Sequence, residues 1–363
     1  MADTTKIEWT DATWNIINGC SVHTPGCTNC YAMLLAGTRL ASHPSRAGLT
    51  TMSKAGPVWT GEVRLYEPWL TQPLEWTKPR DIFVCAHGDL FHEAVTDAML
   101  NEVFAVMAIC AVQGRKHRFQ ILTKRSARMR AFISGFQDQG EAFGEALAYV
   151  ARKAGLDREA GLAIIDAMTW PLPNVWLGVS TEDQRRADER IPDLLATPAA
   201  VRWISAEPLL GPIDLEHVAA PVGGGEDEFE DHDWKLNALL AGSCYEFKGD
   251  DGYWYSGDGP EHPALDWVVV GGESGRNARP MHPTWADALR EQCAGAGVAF
   301  LFKQWGEWAP TGATKEEEAH SLALRERRGS KSFFYPDGVQ MGRVGKKAAG
   351  RLLDGVQHDG LPA

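Results

Sequence analysis

Seven short apolar runs punctuate the chain, and most are followed by a stretch whose apolar positions recur at helical spacing. "TWNIINGC" leads into "NCYAMLLAGTRLA"; "DIFVCAHGDLFH" into "TDAMLNEVFAVMAICAVQ"; "HRFQILTKRS" into a long helical region containing "GEAFGEALAYVARKAG". "NVWLGVSTED" precedes "QRRADERIPDLLAT", with Asp183 placed to cap that helix. "AVRWISAEPLLGPI", "LDWVVVGGESG" with the helix "TWADALREQCAGAG", and "AFLFKQWGEW" complete the series. Alternation of strand and helix predicts parallel pairing through right-handed crossovers, and runs such as "WVVV" and "FQIL" fit strands covered on both faces. The expected fold is α/β: a partial or complete β/α barrel with insertions, a doubly wound sheet being the competing topology.

Two interruptions break the alternation. Residues 136–173 read as a helical insertion or lengthened crossover. Residues 216–264 are rich in Gly, Asp and Glu and read as a surface insertion of hairpin type, either a lid or a plain loop. The expected organisation is a barrel over residues 1–310 and a basic extension over 311–363.

Composition narrows the class. No apolar run approaches the ~20 residues that span a bilayer, and the first residues lack a signal-peptide core. The expectation is a cytoplasmic protein with no membrane partner. A formal net charge of −12 argues against wholesale wrapping of nucleic acid. Two basic stretches run against it, Gly114–Arg130 and Arg325–Arg351, and either could be a solvated face or a nucleic-acid contact. The 14 tryptophans are expected mainly in the core or in pocket walls.

The seven cysteines concentrate the chemistry. Cys20, Cys27 and Cys30 form a C-x6-C-x2-C pattern whose loop carries Pro25 and Gly26 and is followed by Tyr31. In a reducing compartment such a cluster reads as metal-binding rather than as cross-links. Three thiolates suit an iron–sulfur cube with one iron left open, or a zinc ion completed by His23 or by water. Cys85, Cys110, Cys244 and Cys293 read as buried small apolar residues.

In a β/α barrel the reactive groups collect at the C-terminal ends of the strands, and each predicted strand delivers a polar cluster there. Asp89 and His92 are acid/base candidates. Lys124 and Arg125 suit an anionic group. Ser180 and Thr181 follow the fourth strand and Glu207 the fifth, where the carboxylate is either a proton acceptor or half of a salt bridge. Gly271, Gly272 and Glu273 follow the sixth. Lys303 with Gln304 and Trp305 would hydrogen-bond and stack on a base, and Lys346, Lys347 and Arg351 would contact phosphates.

The three-cysteine loop behind the first strand resembles the radical S-adenosylmethionine (SAM) enzymes, whose usual spacing is C-x3-C-x2-C. The order "FQILTKRSARMRAF" then "VWLGVSTEDQRRADERIPDLL" is distantly similar to the spore photoproduct lyase branch. "IEWTDATWN", "PGCTNCYA", "LTKR", "WLGVSTE", "ISAEPLLGPID", "DWVVVGGESG", "FKQWGEW" and "GKKAAGRLLDG" resemble a phage- and prophage-associated three-cysteine family of unknown function (DUF5131-like). The resemblance implies a radical SAM barrel with a [4Fe–4S] cluster on Cys20, Cys27 and Cys30. It implies SAM contacts from Ser180, Thr181, Glu207, Gly271, Gly272 and Glu273, a 5′-deoxyadenosyl radical, and an external electron donor. The function it points to is modification or repair of a base in DNA, RNA or a nucleotide, with Glu207, Lys124 and Asp89 as catalytic candidates. Nucleic-acid contacts would fall to Lys124, Arg125, Lys303, Lys346, Lys347 and Arg351. Two other readings fit the same residues: a zinc- or cluster-stabilised nucleic-acid-binding protein without radical activity, and a radical SAM enzyme for a small metabolite or peptide.

Overall fold

The computed structural model describes residues 4–220, 233–249, 251–311 and 331–362. All seven apolar runs are strands of one sheet: β1 (Ala12–Trp14), β2 (Asp81–Val84), β3 (Arg118–Thr123), β4 (Val175–Ser180), β5 (Val201–Ala206), β6 (Trp267–Gly271) and β7 (Ala299–Gln304). Their spatial order is their order in the chain. A doubly wound sheet reverses direction at a switch point; this one never reverses, so the winding is of the β/α-barrel kind. The chain divides into two compact units, residues 1–179 with 196–202, and residues 180–195 with 203–363.

In the first unit β1, β2, β3 and β4 pair in parallel, with Ala12 opposite Ile82, Phe83 opposite Gln120 and Gln120 opposite Trp176. The crossovers are helical. α1 (Tyr31–Gly37) follows the cysteine loop, and α2 (Asp97–Val112) joins β2 to β3. α3 (Ser126–Ser134), α4 (Gly140–Lys153) and α5 (Arg158–Ala167) lie between β3 and β4, and the last two occupy the stretch 136–173 read as a helical insertion. α2 starts where Thr96 accepts from the Met99 N–H, and it is apolar on nearly every side because it is buried from Leu100 to Cys110 except at Glu102. A β-hairpin, Thr50–Ser53 with Gly56–Trp59, packs beside α1. The first apolar run is shorter as a strand than its sequence predicts. β1 stops at Trp14, and Ile17–Asn18 pairs separately, antiparallel to Arg64–Leu65.

In the second unit β6 lies between β5 and β7, all parallel, with Trp267 opposite Trp203 and Ala299. Trp203 and Trp267 are fully buried, ring centroids 5.3 Å apart, as expected for core tryptophans. α6 (Gln184–Leu195) is capped by Asp183, whose carboxylate accepts from the Arg186 N–H at 3.0 Å. α7 (Pro283–Ala296) begins with proline after His282 and ends at Gly297, whose φ of 72° only glycine adopts without strain. The crossover from β5 to β6 is an antiparallel four-stranded sheet, Val218–Ala219, Lys235–Leu236, Gly242–Lys248 and Trp254–His262. Residues 221–232 and 250 of this insertion lie outside the described residues. Cys244, expected to be buried, is exposed on the third of these strands; Cys85, Cys110 and Cys293 are buried.

The tail closes against β7. Phe302 donates to the His358 carbonyl and Gly360 to that of Phe300, so the strand's outer backbone groups are satisfied. Residues 312–330, including the start of the second basic stretch, lie outside the described residues. No helix among the described residues is long and apolar enough to cross a membrane.

Candidate functional site

The cysteine loop is built by its own backbone. Pro25–Cys27 forms a 3₁₀ turn in which the Cys27 N–H reaches the Thr24 carbonyl at 2.8 Å, and the Cys30 N–H reaches the Cys27 carbonyl at 3.3 Å. All three thiols are half-buried, and Cys27 is near enough to both others that a thiolate on it would raise their pKa. Burial pushes the Cys20 thiol up to about 12, with Asp89 adding and Arg125 opposing. Burial also raises Cys30, against the lowering effect of the Met33 and Ala32 N–H groups and the Trp59 indole. Cys20 and Cys30 are thus held in the thiol form on their own and need a cationic centre to become thiolates.

Around Cys20 stands a closed polar network. Asp89, buried at the end of β2, accepts from Thr123 Oγ1 (2.6 Å), the Phe91 N–H (3.0 Å), the Lys124 N–H (3.0 Å) and Arg125 Nη1 (2.9 Å). Arg125 also donates to both Glu93 oxygens at 3.1–3.2 Å and to Ser21 Oγ at 2.8 Å. Burial works against its charge, yet Asp89 and the groups beside it hold the guanidinium more firmly protonated than usual. His92 faces Ser21 Oγ at 3.0 Å through Nε2 and accepts from the Ala94 N–H through Nδ1. Asp89 is thus engaged by four donors, and this network fixes the loop through Ser21, the residue after Cys20. Tyr31 donates its hydroxyl to the Ala86 carbonyl at 2.6 Å, tying the start of α1 to the end of β2.

The first basic stretch is largely spent on internal pairs. Arg118 bonds Asp81 through two nitrogens at 2.5 and 2.6 Å, Arg125 is held as described, and Arg128 pairs with Asp97.

In the second unit the strand-end residues form three ion pairs. Lys303 Nζ lies 3.1 Å from Glu207 Oε1, and Ser205 Oγ donates to the other oxygen at 3.3 Å. The salt-bridge alternative for Glu207 is therefore present in the fold. Glu273 is buried and accepts from the Arg279 N–H, Nε and Nη2 at 2.6–2.9 Å. Glu182 is buried with Arg190 at 3.0 Å, a pair the sequence reading missed because eight positions within a strand–helix turn carry no recognisable spacing. Ser180 and Thr181 are buried, the Thr181 N–H donating to the Ser205 carbonyl at 2.9 Å while its Oγ1 has no partner.

The two glycines are required by neighbours. A Cβ on Gly271 would lie 2.4 Å from Glu207 Oε1, and one on Gly272 would lie 2.0 Å from the Trp305 carbonyl oxygen. Lys346 and Lys347 are exposed on the short helix Lys346–Ala349. Arg351 turns inward, donating to the Lys303 carbonyl at 3.0 Å and pairing with Asp359. It therefore secures the tail to β7.

The described cysteines supply three soft sulfur donors, the set that zinc and iron–sulfur centres select. Zinc with Zn–S bonds of about 2.3 Å would draw its sulfurs to within roughly 4 Å of one another. Among the described residues no three His, Cys, Asp or Glu side chains gather tightly enough to hold one metal ion.

Parallel strands wound in chain order, with a three-cysteine loop after the first, define a mixed α/β protein. The chain belongs to a family described as protein of unknown function (DUF5131), whose model matches residues 4–362. No curated protein and no solved structure matches it.

Proposed function

We propose that the chain is a radical SAM-type iron–sulfur enzyme that modifies or repairs a base in a nucleic acid or nucleotide. The observation that supports this most strongly is the three-thiol loop placed behind β1 of a parallel sheet wound in strict chain order. In this reading Cys20, Cys27 and Cys30 hold a [4Fe–4S] cluster, which with SAM and an external electron donor supplies a 5′-deoxyadenosyl radical. The chain's own part is binding and positioning. The Asp89–Arg125–Ser21 network holds the loop so that all three sulfurs keep one orientation. Glu207 with Lys303 offers an acceptor and a donor for the polar groups of SAM, alongside Ser180, Thr181 and the Gly271–Glu273 turn. Lys124, Lys346 and Lys347 are the lysines assigned to an anionic substrate, the last two exposed.

The nucleic-acid part rests on the order of motifs rather than on the basic stretches, whose Arg118, Arg125 and Arg128 are paired internally. The deciding experiment is electron paramagnetic resonance on anaerobically reconstituted, reduced protein with and without SAM. A [4Fe–4S]⁺ signal that changes on adding SAM supports the proposal. Protein that binds zinc instead, or a cluster signal indifferent to SAM, would overturn it.

A further inference from the structure

Arg46 is a buried cation without a counter-charge. It is 3% exposed, and among the described residues no carboxylate pairs with it. Its Nη1 donates to Ser45 Oγ and its Nη2 to His87 Nδ1 at 2.6 Å, both neutral acceptors. Among the described residues its Nε has no hydrogen-bond partner. The Trp69 ring, 5.3 Å from the guanidinium carbon, supplies only a weak π contact. Burial alone pulls its pKa down to about 10, with no acidic group nearby to offset it. A buried charge is retained when something compensates it, and in the described chain only these neutral partners do, with no opposite charge.

Arg46 lines a cavity of about 210 Å³, with Ala36, Gly37, Thr50, Thr51 and Pro57 around it. That is several times the ~30 Å³ share of one water in the liquid. The lining carries no acidic side chain, and its polar residues are Arg46, Thr50 and Thr51, the two threonines being neighbours on one strand that turn their side chains to opposite faces. It opens to solvent past Ala41, Gly48, Thr51 and Met52, all exposed. At Gly48 even an added Cβ would meet nothing within 4 Å.

We propose that this cavity is a binding site for a phosphate group, free or as a small ester, with Arg46 as its cationic anchor and Thr50 as a hydroxyl donor. A guanidinium matches phosphate oxygens with a planar fork of donors. The site lies wholly within the first unit and does not depend on what the cysteines hold.

The test uses the full-length protein without added metal. Thermal unfolding is followed in inorganic phosphate, adenosine 5′-monophosphate, acetate or chloride at matched ionic strength, with calorimetric titration of the phosphate. A ligand that binds only the native state raises the unfolding temperature in a saturable way. Phosphate is expected to do so, and Arg46→Met to abolish the rise while weakening binding more than tenfold. Stronger binding of the nucleotide assigns the site to an ester, and stronger binding of inorganic phosphate assigns it to the free ion. If Arg46→Met does not fold, Ala41→Trp, placed at the exposed rim, is expected to weaken phosphate binding in a folded protein. No saturable phosphate effect beyond chloride, an equal effect of acetate, or undiminished phosphate binding in both variants overturns the proposal.

Discussion

Replacing Asp89 by asparagine tests whether the polar network beside Cys20 is a structural unit. The carboxylate takes two donors on each oxygen: Thr123 Oγ1 and the Phe91 N–H on one, the Lys124 N–H and Arg125 Nη1 on the other. Asparagine must point its NH₂ at one of these pairs, leaving buried donors facing a donor. Among the described residues it also removes the only buried carboxylate beside Arg125, since Glu93 is 64% exposed and screened by solvent. An unsatisfied buried donor costs about 1–3 kcal/mol, and breaking one side of a buried ion pair costs about 3–5 kcal/mol. The two are not independent, so a total loss of about 3–5 kcal/mol is expected. For a unit of 150–250 residues that lowers the unfolding temperature by on the order of 10 °C. The assay is urea and thermal unfolding of metal-free protein followed by tryptophan fluorescence, for Asp89→Asn, Arg125→Met and the double variant. Because the residues share one network, the double variant should be more stable than the sum of the singles requires, by at least about 1 kcal/mol. A loss below 1 kcal/mol in Asp89→Asn, or strictly additive costs, would refute the network argument.

Three further outcomes follow from the same geometry. Gly272→Ala should cost about 3 kcal/mol, because its Cβ meets the Trp305 backbone, which cannot step aside. Gly271→Ala meets only the end of the Glu207 side chain and should fold with a smaller loss; equal unfolding curves for the two variants would contradict this. His87 is held neutral, its pKa lowered to about 4 by burial and by Arg46. The unfolded chain takes up that proton near pH 6.5 and the native one does not, so this contribution is fully present above pH 6.5. It is lost as pH falls toward about 4, by up to about 3 kcal/mol. His87→Gln should flatten that part of the stability–pH curve, and an unchanged curve would remove His87 as its source. Under the cluster reading, serine at Cys20, Cys27 or Cys30 should each abolish bound iron after reconstitution, whereas Cys110→Ala should retain it; iron content by colorimetric assay decides.

The sheet was legible because each strand's apolar run is short, continuous and bounded by polar or glycine turns, which leaves little room for a helical alternative. Its strand order was not legible, since parallel crossovers permit either a doubly wound or a sequential sheet, and only the observed pairing distinguishes them. The Ile17–Asn18 break escaped because "TWNIIN" has strand-like residues throughout, while its pairing with Arg64–Leu65 depends on a partner far along the chain. Cys244 escaped for the opposite reason: it sits on a hairpin that exposes alternate positions, and residue type alone does not reveal the face. Among site residues, Asp89 and Arg125 were visible as chemistry but their mutual saturation was not. A hydrogen-bond inventory requires coordinates. Arg46 had no signal at all, being one arginine in an ordinary polar stretch, and it stands out only once its burial and missing counter-charge are seen.

That contrast orders the polar groups by what the fold leaves unfinished. Asp89 with Arg125 and Glu182 with Arg190 are buried pairs, and Glu273 is a buried acid held by the half-buried Arg279, so the first effect of all three is to fix backbone near strand ends. Glu207 with Lys303 is different: both are only half-buried and the pair is held at 3.1 Å by a single lysine nitrogen, which a ligand can displace without leaving a charge stranded in the core. The thiols of Cys20 and Cys30, raised by burial, and the unpaired Arg46 are the opposite case, groups whose environment opposes their chemistry until something binds. Interactions that stabilise an empty fold and interactions that await a ligand are therefore separable here by counting partners. The prediction that separates them experimentally is the sign of the stability change. Removing a member of a closed pair should destabilise the ligand-free protein, whereas Arg46→Met should leave it as stable or make it more so, because it removes a buried charge that nothing compensates. Marked destabilisation of the ligand-free Arg46→Met protein would show that Ser45, His87 and Trp69 already suffice to hold the cation, and the distinction would fail at that residue.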